Sequence, residues 1–352
     1  MTTTLTTVPR QSEAELLALG ARAFTGLGLR PADAVLVARV LVTADQFGLS
    51  THGLSRIESY GERLKVGGIK ARPDITVHQP APALRQVDGD NGVGPLVGMR
   101  ALQAAMDAAK ECGVGVALAR GSNHFGPISP YSLIAAEAGF ASIIGSNATT
   151  TIAPWGGSDA RLGNSPIGFG VPHPGGDPFL LDMAMSVAAR AKIRNALKRG
   201  EPIPDTWATD AGGRPTTDPA AALDGFLLPI GGHKGYGLAL MVDLFAGLLS
   251  DAAYLTHVKS WSDAPDEPQN LGHFFILIDT RRLGSAQWLA QRMRDFAAIL
   301  HASPPADADR PVIVPGEIEL GKLRRQRSEG IVLDPATYEL LQRHAEGIAV
   351  AP

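Results

Sequence analysis

Residues 88–98, DGDNGVGPLVG, look like a glycine-rich phosphate loop ahead of a helix, and they decide whether a Rossmann fold is possible. A dinucleotide fingerprint needs the spacing G-x-G-x-x-G and an acidic residue at the end of the next strand. Counted from Gly92 and Gly94, the third glycine comes one position late, at Gly98. The next predicted strand leads to Arg120 rather than to an acid. The segment therefore predicts a turn and a helix start, and it argues against a Rossmann domain.

Around this turn, short β-branched runs alternate with alanine-rich runs, and the alternation predicts an α/β core. Strands are predicted over 114–119, 141–144, 179–185 and 273–279, and helices over 131–138, 237–249 and 286–300. Residues 200–222 are rich in proline, glycine, aspartate and threonine, which predicts an excursion on the surface.

The N-terminal part predicts a small helical layer. Ser12 followed by Glu15 has the pattern of a capping box, and it opens a helix that reaches about Leu27. Two helical segments near the C-terminus are expected to pack back onto this layer. The predicted domains are therefore a helical layer at 1–75, completed by 304–352, and a central α/β domain at 76–303.

Composition excludes several classes of function. Lys and Arg total 32 against 35 for Asp and Glu, so the net charge of −3 gives no reason to expect nucleic acid or an anionic membrane as partner. Cys112 is the single cysteine, which rules out an intrachain disulfide and a multi-thiolate zinc site and indicates a reducing compartment. The chain has no HExxH motif and no acidic calcium loop, so no metal is predicted.

Two further features predict a cytoplasmic protein. Residues 1–5 lack the basic start and the apolar core of a signal peptide. The longest apolar helix candidate, 238–249, is too short to span a bilayer, and it carries Asp243.

The segment 49–56, LSTHGLSR, places the imidazole of His52 four residues before the guanidinium of Arg56. An imidazole titrates near neutrality and can give or take a proton at cellular pH. A guanidinium is permanently charged and holds a carboxylate through two parallel hydrogen bonds. The pair suits an enzyme that moves a proton on a group next to a carboxylate, although such a loop is more often a solvated turn.

Two other polar residues are candidates for chemistry. His124 follows a predicted strand, at the place where α/β folds bind ligands; the alternative is a histidine of the core. Asp182 lies in the apolar run 179–184, where a carboxylate is buried only if it is paired; the alternative is an edge strand with Asp182 in solvent. Glycine-rich or polar segments that allow a ligand close to the backbone occur at 149–157, 162–166 and 231–237.

Taken together, these segments resemble the malate/L-lactate dehydrogenase family of type 2. That family also includes ureidoglycolate and sulfolactate dehydrogenases, diketogulonate reductase and piperideine-2-carboxylate reductase. The resemblance extends from about residue 12 to the C-terminus. It is carried by His52-Gly53 with Arg56, and by SNHFG at 122–126, GNSP at 163–166, LDMA at 181–184, GHKG at 232–235 and PGE at 315–317.

This resemblance implies the fold class, the cofactor and the partner. The fold would be α/β, with a non-Rossmann NAD(P)-binding mixed-sheet domain and a helical layer built from the N- and C-terminal segments. The cofactor would be NAD or NADP. The protein would be a homodimer with the cofactor near the subunit interface.

The resemblance also implies roles for individual residues. His52 would be the acid/base, Arg56 the clamp on the substrate carboxylate, and Asp182 a site carboxylate that orients an imidazole. His124 matches a second histidine that transfers the proton in some members. Thr51 stands where many members have serine; it keeps the hydroxyl of a proton relay and adds a methyl group to the pocket. The implied cofactor contacts are His124, Phe125, Gly126, Asn164, Pro166, Asp182, Met183, Ala184, His233, Lys234, Gly316 and Glu317.

The function predicted from the sequence is NAD(P)-dependent interconversion of a 2-hydroxy acid and a 2-oxo acid. One alternative is the reduction of a cyclic imine carboxylate, in which the proton goes to nitrogen. An alternative from another class is a catalytically silent protein that binds a nucleotide or a carboxylate. The sequence leaves open the choice between NAD and NADP, the substrate side chain and stereochemistry, the physiological direction, and which of His52 and His124 is the main proton donor.

Overall fold

The computed structural model describes residues 8–347, and the sequence predictions for residues 1–7 and 348–352 lie outside this range. The α-helices are α1 (Glu13–Gly26), α2 (Pro31–Gln46), α3 (Ile57–Val66), α4 (Gly94–Cys112), α5 (Ser129–Glu137), α6 (Arg190–Arg199), α7 (Pro219–Asp224), α8 (His233–Asp243), α9 (Ala286–His301), α10 (Glu317–Glu329) and α11 (Pro335–Glu346). The strands are β1 (Thr76–Ala81), β2 (Leu84–Asp88), β3 (Val114–Ser122), β4 (Phe140–Ser146), β5 (Thr150–Ile152), β6 (Leu162–Gly163), β7 (Ile167–Val171), β8 (Phe179–Met183) and β9 (Leu271–Asp279).

Seven strands form one mixed sheet in the order β1-β2-β3-β9-β4-β7-β8, and β5 pairs with β6 separately. The β2 and β3 strands are parallel and are joined through α4, whereas the other neighbours in the large sheet are antiparallel. A doubly wound dinucleotide fold needs a mostly parallel sheet. The predicted mixed-sheet α/β class without a Rossmann domain is therefore confirmed.

The 88–98 segment is the turn between β2 and α4, as the sequence predicts. A Cβ on Gly94 would lie 2.2 Å from the carbonyl oxygen of His124. The side-chain amide of Asn123 donates to the carbonyl oxygen of Gly92 at 2.9 Å. These glycines therefore let the start of α4 touch the backbone of the loop after β3.

The helical layer is held by an apolar cluster that joins both ends of the chain. The predicted capping box is present, since the Ser12 amide donates to Glu15 Oε2 at 2.7 Å and the Glu15 amide donates to Ser12 Oγ at 3.3 Å. Helix α1 packs against α2 and α11, and α10 packs against α2. The cluster also includes Leu96 of α4, so the layer is continuous with the α/β part. The domain boundaries near 75 and 304 stay predictions.

Several element limits differ from those predicted. Helix α8 begins at His233, four residues before the predicted start, and a wider helical turn over Leu244–Leu248 follows it. Helix α6 was not predicted, because five basic residues in ten obscure its two buried positions, Ile193 and Ala196. No helix among residues 8–347 is both long and apolar enough to cross a bilayer.

Two Gly→Ala substitutions test the contact between α4 and the loop after β3. Gly94→Ala should lower the free energy of unfolding by about 1–3 kcal/mol, because the new methyl group overlaps the His124 carbonyl oxygen. Gly237→Ala, inside α8, meets no atom within 4 Å and should raise stability by up to about 1 kcal/mol. Urea unfolding of both variants checks this, and equal effects would contradict the assigned contact.

Candidate active site

The loop between α2 and α3 carries the first predicted pair. It consists of two short turns, Ser50–His52 and Leu54–Arg56, joined at Gly53. The buried Asp45 carboxylate accepts a hydrogen bond from the Leu54 amide at 2.8 Å. A Cβ on Gly53 would lie 2.0 Å from Asp45 Oδ1. Asp45 thus holds the backbone between the imidazole and the guanidinium, and its burial raises the pKa of the carboxyl group to about 7.

The loop after β3 brings His124 to the same place. The ring centroids of His52 and His124 are 5.6 Å apart. Tyr60 of α3 lies with its hydroxyl 2.8 Å from His124 Nδ1, and it donates to the His124 carbonyl oxygen at 3.1 Å. Tyr60 thus engages the Nδ1 side of the His124 ring, and Nε2 has no hydrogen-bond partner among the described residues.

The charge of Arg56 has no carboxylate partner among residues 8–347, and its Nε is buried without a hydrogen-bond partner. Burial, followed by the nearby Arg56 charge, lowers the pKa of His52 to about 4. Burial, with Arg56 and the two neighbouring histidines His52 and His273, holds the pKa of His124 well below its ordinary value. Both imidazoles facing Arg56 are therefore neutral at pH 7.

Asp182 lies on β8, which is an edge strand of the sheet. Its carboxylate is nevertheless hydrogen-bonded within the protein. Oδ2 accepts from the backbone amides of Ile128 and Ser129 at the start of α5, both at 2.8 Å. Burial raises the pKa of Asp182 despite these two hydrogen bonds. The partner that the sequence left open is thus a helix N-terminus. No imidazole is among its hydrogen-bond partners within the described residues, which corrects the expected contact.

A single cavity of 810 Å³ brings most of the predicted residues together. Its lining includes ten of them: His52, Arg56, His124, Phe125, Gly126, Asn164, Pro166, Asp182, Ala184 and Gly316. They come from five separate parts of the chain. The size is within the range that holds a cofactor and a small substrate.

Five predicted residues lie outside this lining: Thr51, Met183, His233, Lys234 and Glu317. Thr51 acts on the cavity through its neighbour, since its Oγ1 lies 2.9 Å from His52 Nδ1. Met183 packs in a different apolar cluster. His233 and Lys234 are exposed at the first turn of α8, with the Trp155 ring 5.8 Å from His233.

Glu317 faces away from the cavity because its two carboxylate oxygens have partners elsewhere. One oxygen accepts from the Val314 amide at 3.0 Å, and the other lies 2.9 Å from His301 Nε2. Its neighbour Gly316 does line the cavity, with a φ of 96° that favours glycine. The same segment also lines the cavity with Ile313, Val314, Pro315, Ile318 and Glu319.

Several residues of the cavity have no signal in the sequence. Tyr60 lies within a helix, and Trp261 lies in an irregular segment far along the chain. Polar side chains that line the cavity and were not predicted include Ser129, Ser146, Asn147 and Gln269, whereas Thr151 lies in the candidate segment 149–157. Each is an ordinary polar residue in sequence, and the fold alone gathers them.

His273 forms a buried support beneath the cavity. Its ring stacks on Phe125 with 4.1 Å between centroids, Nε2 lies 2.7 Å from Ser122 Oγ, and Nδ1 lies 2.9 Å from Ser146 Oγ. The side chain is fully buried, and burial lowers its pKa to about 3. His273 is therefore a neutral structural link between β9 and the cavity wall formed by Ser146.

The buried imidazole of His273 predicts a pH dependence of stability. The unfolded chain binds this proton below about pH 6.5, whereas the folded chain binds it only near pH 3, so stability falls as the pH falls through this window. His273→Asn should make the slope of unfolding free energy against pH shallower by up to about 1.4 kcal/mol per pH unit.

Denaturant unfolding between pH 4 and pH 6.5 measures this slope. Phe275→Leu, also buried on β9, is the control, since it removes packing without removing a titrating group. It should lower stability at every pH and leave the slope unchanged. A slope for His273→Asn equal to that of the wild type would contradict the assignment.

Comparison of the chain with known proteins identifies its family. The model of the malate/L-lactate dehydrogenase family matches residues 11–342. The L-sulfolactate dehydrogenase of Methanocaldococcus jannaschii is 36% identical over 316 residues, which cover 90% of each chain. The NAD⁺-dependent ureidoglycolate dehydrogenase of Escherichia coli K12 is 34% identical over 314 residues, 89% of each chain.

Solved structures agree. The Δ1-piperideine-2-carboxylate reductase of Pseudomonas syringae superimposes with a TM-score of 0.86 and 30% identity, covering 96% of this chain and 100% of that one. The chain therefore belongs to the malate/L-lactate dehydrogenase family. This confirms the prediction of a dehydrogenase that uses a nicotinamide dinucleotide, NAD or NADP.

Proposed function

We propose that this enzyme interconverts a 2-hydroxy acid and a 2-oxo acid, with Arg56 as the carboxylate clamp and His52 as the acid/base. The observation that carries the proposal is the charge of Arg56, which lines the cavity without a carboxylate partner among the described residues. A half-buried, unpaired guanidinium is costly unless an anion comes to it. A 2-oxo acid supplies that anion one bond away from the carbonyl that reacts.

The cavity also fits a dinucleotide. Three buried polar atoms on its lining have no hydrogen-bond partner: Arg56 Nε, Thr151 Oγ1 and Gln269 Oε1. Gly126 and Gly316, with φ of 82° and 96°, bring backbone to the cavity without side chains. Ser129, Thr151 and Asn164 would bind the hydroxyl and amide groups of the cofactor, and Arg194 at the rim would meet a phosphate. A bound reduced nicotinamide supplies hydride to the carbonyl carbon.

The residues of this chain then provide orientation and a proton. Arg56 binds the carboxylate at two points and so fixes the direction of the carbonyl. Once the substrate carboxylate compensates the Arg56 charge, one of the causes that lower the pKa of His52 is removed. His52 then gains a proton more readily and donates it to the carbonyl oxygen. In the oxidation direction the neutral imidazole is already the base.

Both histidines remain candidates for the main proton donor. Thr51 Oγ1 lies 2.9 Å from His52 Nδ1, and Tyr60 Oη lies 2.8 Å from His124 Nδ1. Each contact fixes one imidazole nitrogen and leaves Nε2 for the substrate. His52 is preferred because it belongs to the same short loop as Arg56, so the proton and the anion site keep a constant separation.

Arg56→Lys should raise the KM for the 2-oxo acid at least about tenfold with a smaller change in kcat, because one ammonium cannot reproduce the planar two-point contact. Steady-state kinetics at saturating NADH or NADPH measures this. Arg22→Lys, exposed on α1, is the matched control and should leave KM unchanged. A wild-type KM in Arg56→Lys would remove the clamp from the proposal.

His52→Ala should lower kcat by roughly 10²–10⁴, the usual contribution of a general acid. The absorbance of the reduced nicotinamide follows the reaction, and His78→Ala, exposed on β1, is the control. If His124→Ala is far more damaging than His52→Ala, the roles of the two histidines are exchanged.

Cyclic imine reduction is the second candidate, because the structural neighbour from Pseudomonas syringae is a reductase of such a substrate. The same clamp and acid would serve, with protonation at nitrogen. A panel that sets pyruvate-type acids beside piperideine-2-carboxylate, with both cofactors, separates the two. A silent binding protein would bind NADH and turn over none of them. A homodimer, a cytoplasmic location and a small 2-oxo or 2-hydroxy carboxylate as partner complete the proposal.

A further inference from the structure

Arg63 of α3 is a buried cation that binds a loop. Its side chain is 1% exposed, and its guanidinium donates to the carbonyl oxygens of Trp261 at 2.9 Å, Ala264 at 3.0 Å and Glu267. None of the ion pairs among residues 8–347 includes it. All three carbonyls belong to one irregular segment, 259–269, here named the 259–269 loop. A planar fork with five donors is well suited to holding several carbonyls of a loop at once.

Further contacts hold the 259–269 loop in one conformation. A Cβ on Gly68 would lie 1.9 Å from the Pro265 carbonyl oxygen, so α3 and the loop meet backbone to backbone. The Gln269 side chain donates to the Lys259 carbonyl oxygen at 3.1 Å and closes the base of the loop. Such compact loops with close ends are frequent carriers of function.

The loop presents Trp261 to the active-site cavity. The indole lines the cavity and lies edge-on at 5.9 Å from the His124 ring and 5.8 Å from the Tyr60 ring. The Arg63 guanidinium lies 4.7 Å from the indole centroid, within the range of a cation–π contact. Trp261 is therefore fixed by three neighbours beside one of the two proton-transfer candidates.

We propose that Trp261 is the specificity-determining residue of this site and limits the size of the substrate side chain. The inference rests on the proposed function. A 2-oxo acid places its carboxylate on Arg56 and its oxygen toward the histidines, so its side chain is the part left to vary. A rigid indole beside His124 leaves room for a short side chain and blocks a long one. Arg63 is the positioning residue that keeps the indole there.

The test compares Trp261→Ala with Trp288→Ala, a matched control on the exposed side of α9. The readout is kcat/KM for pyruvate, 2-oxobutanoate, 2-oxopentanoate and phenylpyruvate. In Trp261→Ala the ratio of phenylpyruvate to pyruvate should rise about tenfold or more, the usual effect of one or two methylene-sized changes in a pocket. The KM for the dinucleotide should stay unchanged, and Trp288→Ala should keep the wild-type ratio.

Arg63→Lys should shift the ratio in the same direction and by less, because an ammonium cannot hold three carbonyls in one geometry. If this variant fails to fold, Trp261→Ala still decides the matter. An unchanged ratio in Trp261→Ala, or an equal loss for all four acids, overturns the proposal.

Failure of the proposed function has a different signature. In that case the wild type reduces none of the acids with either cofactor. Calorimetric dissociation constants for the same acids, measured with NAD⁺ or NADP⁺ present, then give the size preference directly. Absence of binding, or a size preference that Trp261→Ala leaves unchanged, overturns the role of Trp261.

Discussion

The Arg56 guanidinium faces two imidazoles in a cavity and has no carboxylate partner among residues 8–347, and the chemistry proposed for the site depends on that charge. In the absence of an anion it helps to keep His52 and His124 neutral. A bound carboxylate compensates the charge and makes protonation of His52 easier. In the proposed mechanism, substrate binding and activation of the acid are therefore one electrostatic event, so that catalysis depends on a bound carboxylate.

The fold brings the loop of His52 and the loop of His124 together through backbone contacts. The Asp45 carboxylate accepts a hydrogen bond from the Leu54 amide in the loop of His52. It fits against Gly53 because glycine has no side chain. Gly94 lets the start of α4 touch the backbone of His124. The glycines and the buried carboxylate thus set the 5.6 Å separation of the two imidazoles. A scaffold built this way positions the two imidazoles through backbone contacts.

The sequence predicted the fold class and ten residues that line one cavity because those features have local signals. The late third glycine at Gly98 excluded a Rossmann turn, and the capping box at Ser12 marked a helix. The motifs around His52, His124 and Asp182 supplied seven of the ten predicted residues that line one cavity, and the GNSP and PGE motifs supplied Asn164, Pro166 and Gly316.

What the sequence could not supply depends on long-range packing. The partner of Asp182 is the start of α5, 54 residues away along the chain, and only the fold brings the two together. Trp261 reaches the cavity through Arg63, 198 residues away along the chain. The outward orientation of Glu317 follows from its contacts with Val314 and His301, which only the fold brings into reach.

The pKa of His52, measured by NMR of labelled histidine with and without oxalate, tests the central claim most directly. Oxalate carries the carboxylate of the substrate and cannot react with a reduced nicotinamide as a ketone does. The account predicts a pKa near 4 in the free enzyme and a clear rise when oxalate is bound. An unchanged pKa of His52 in the oxalate complex would contradict it.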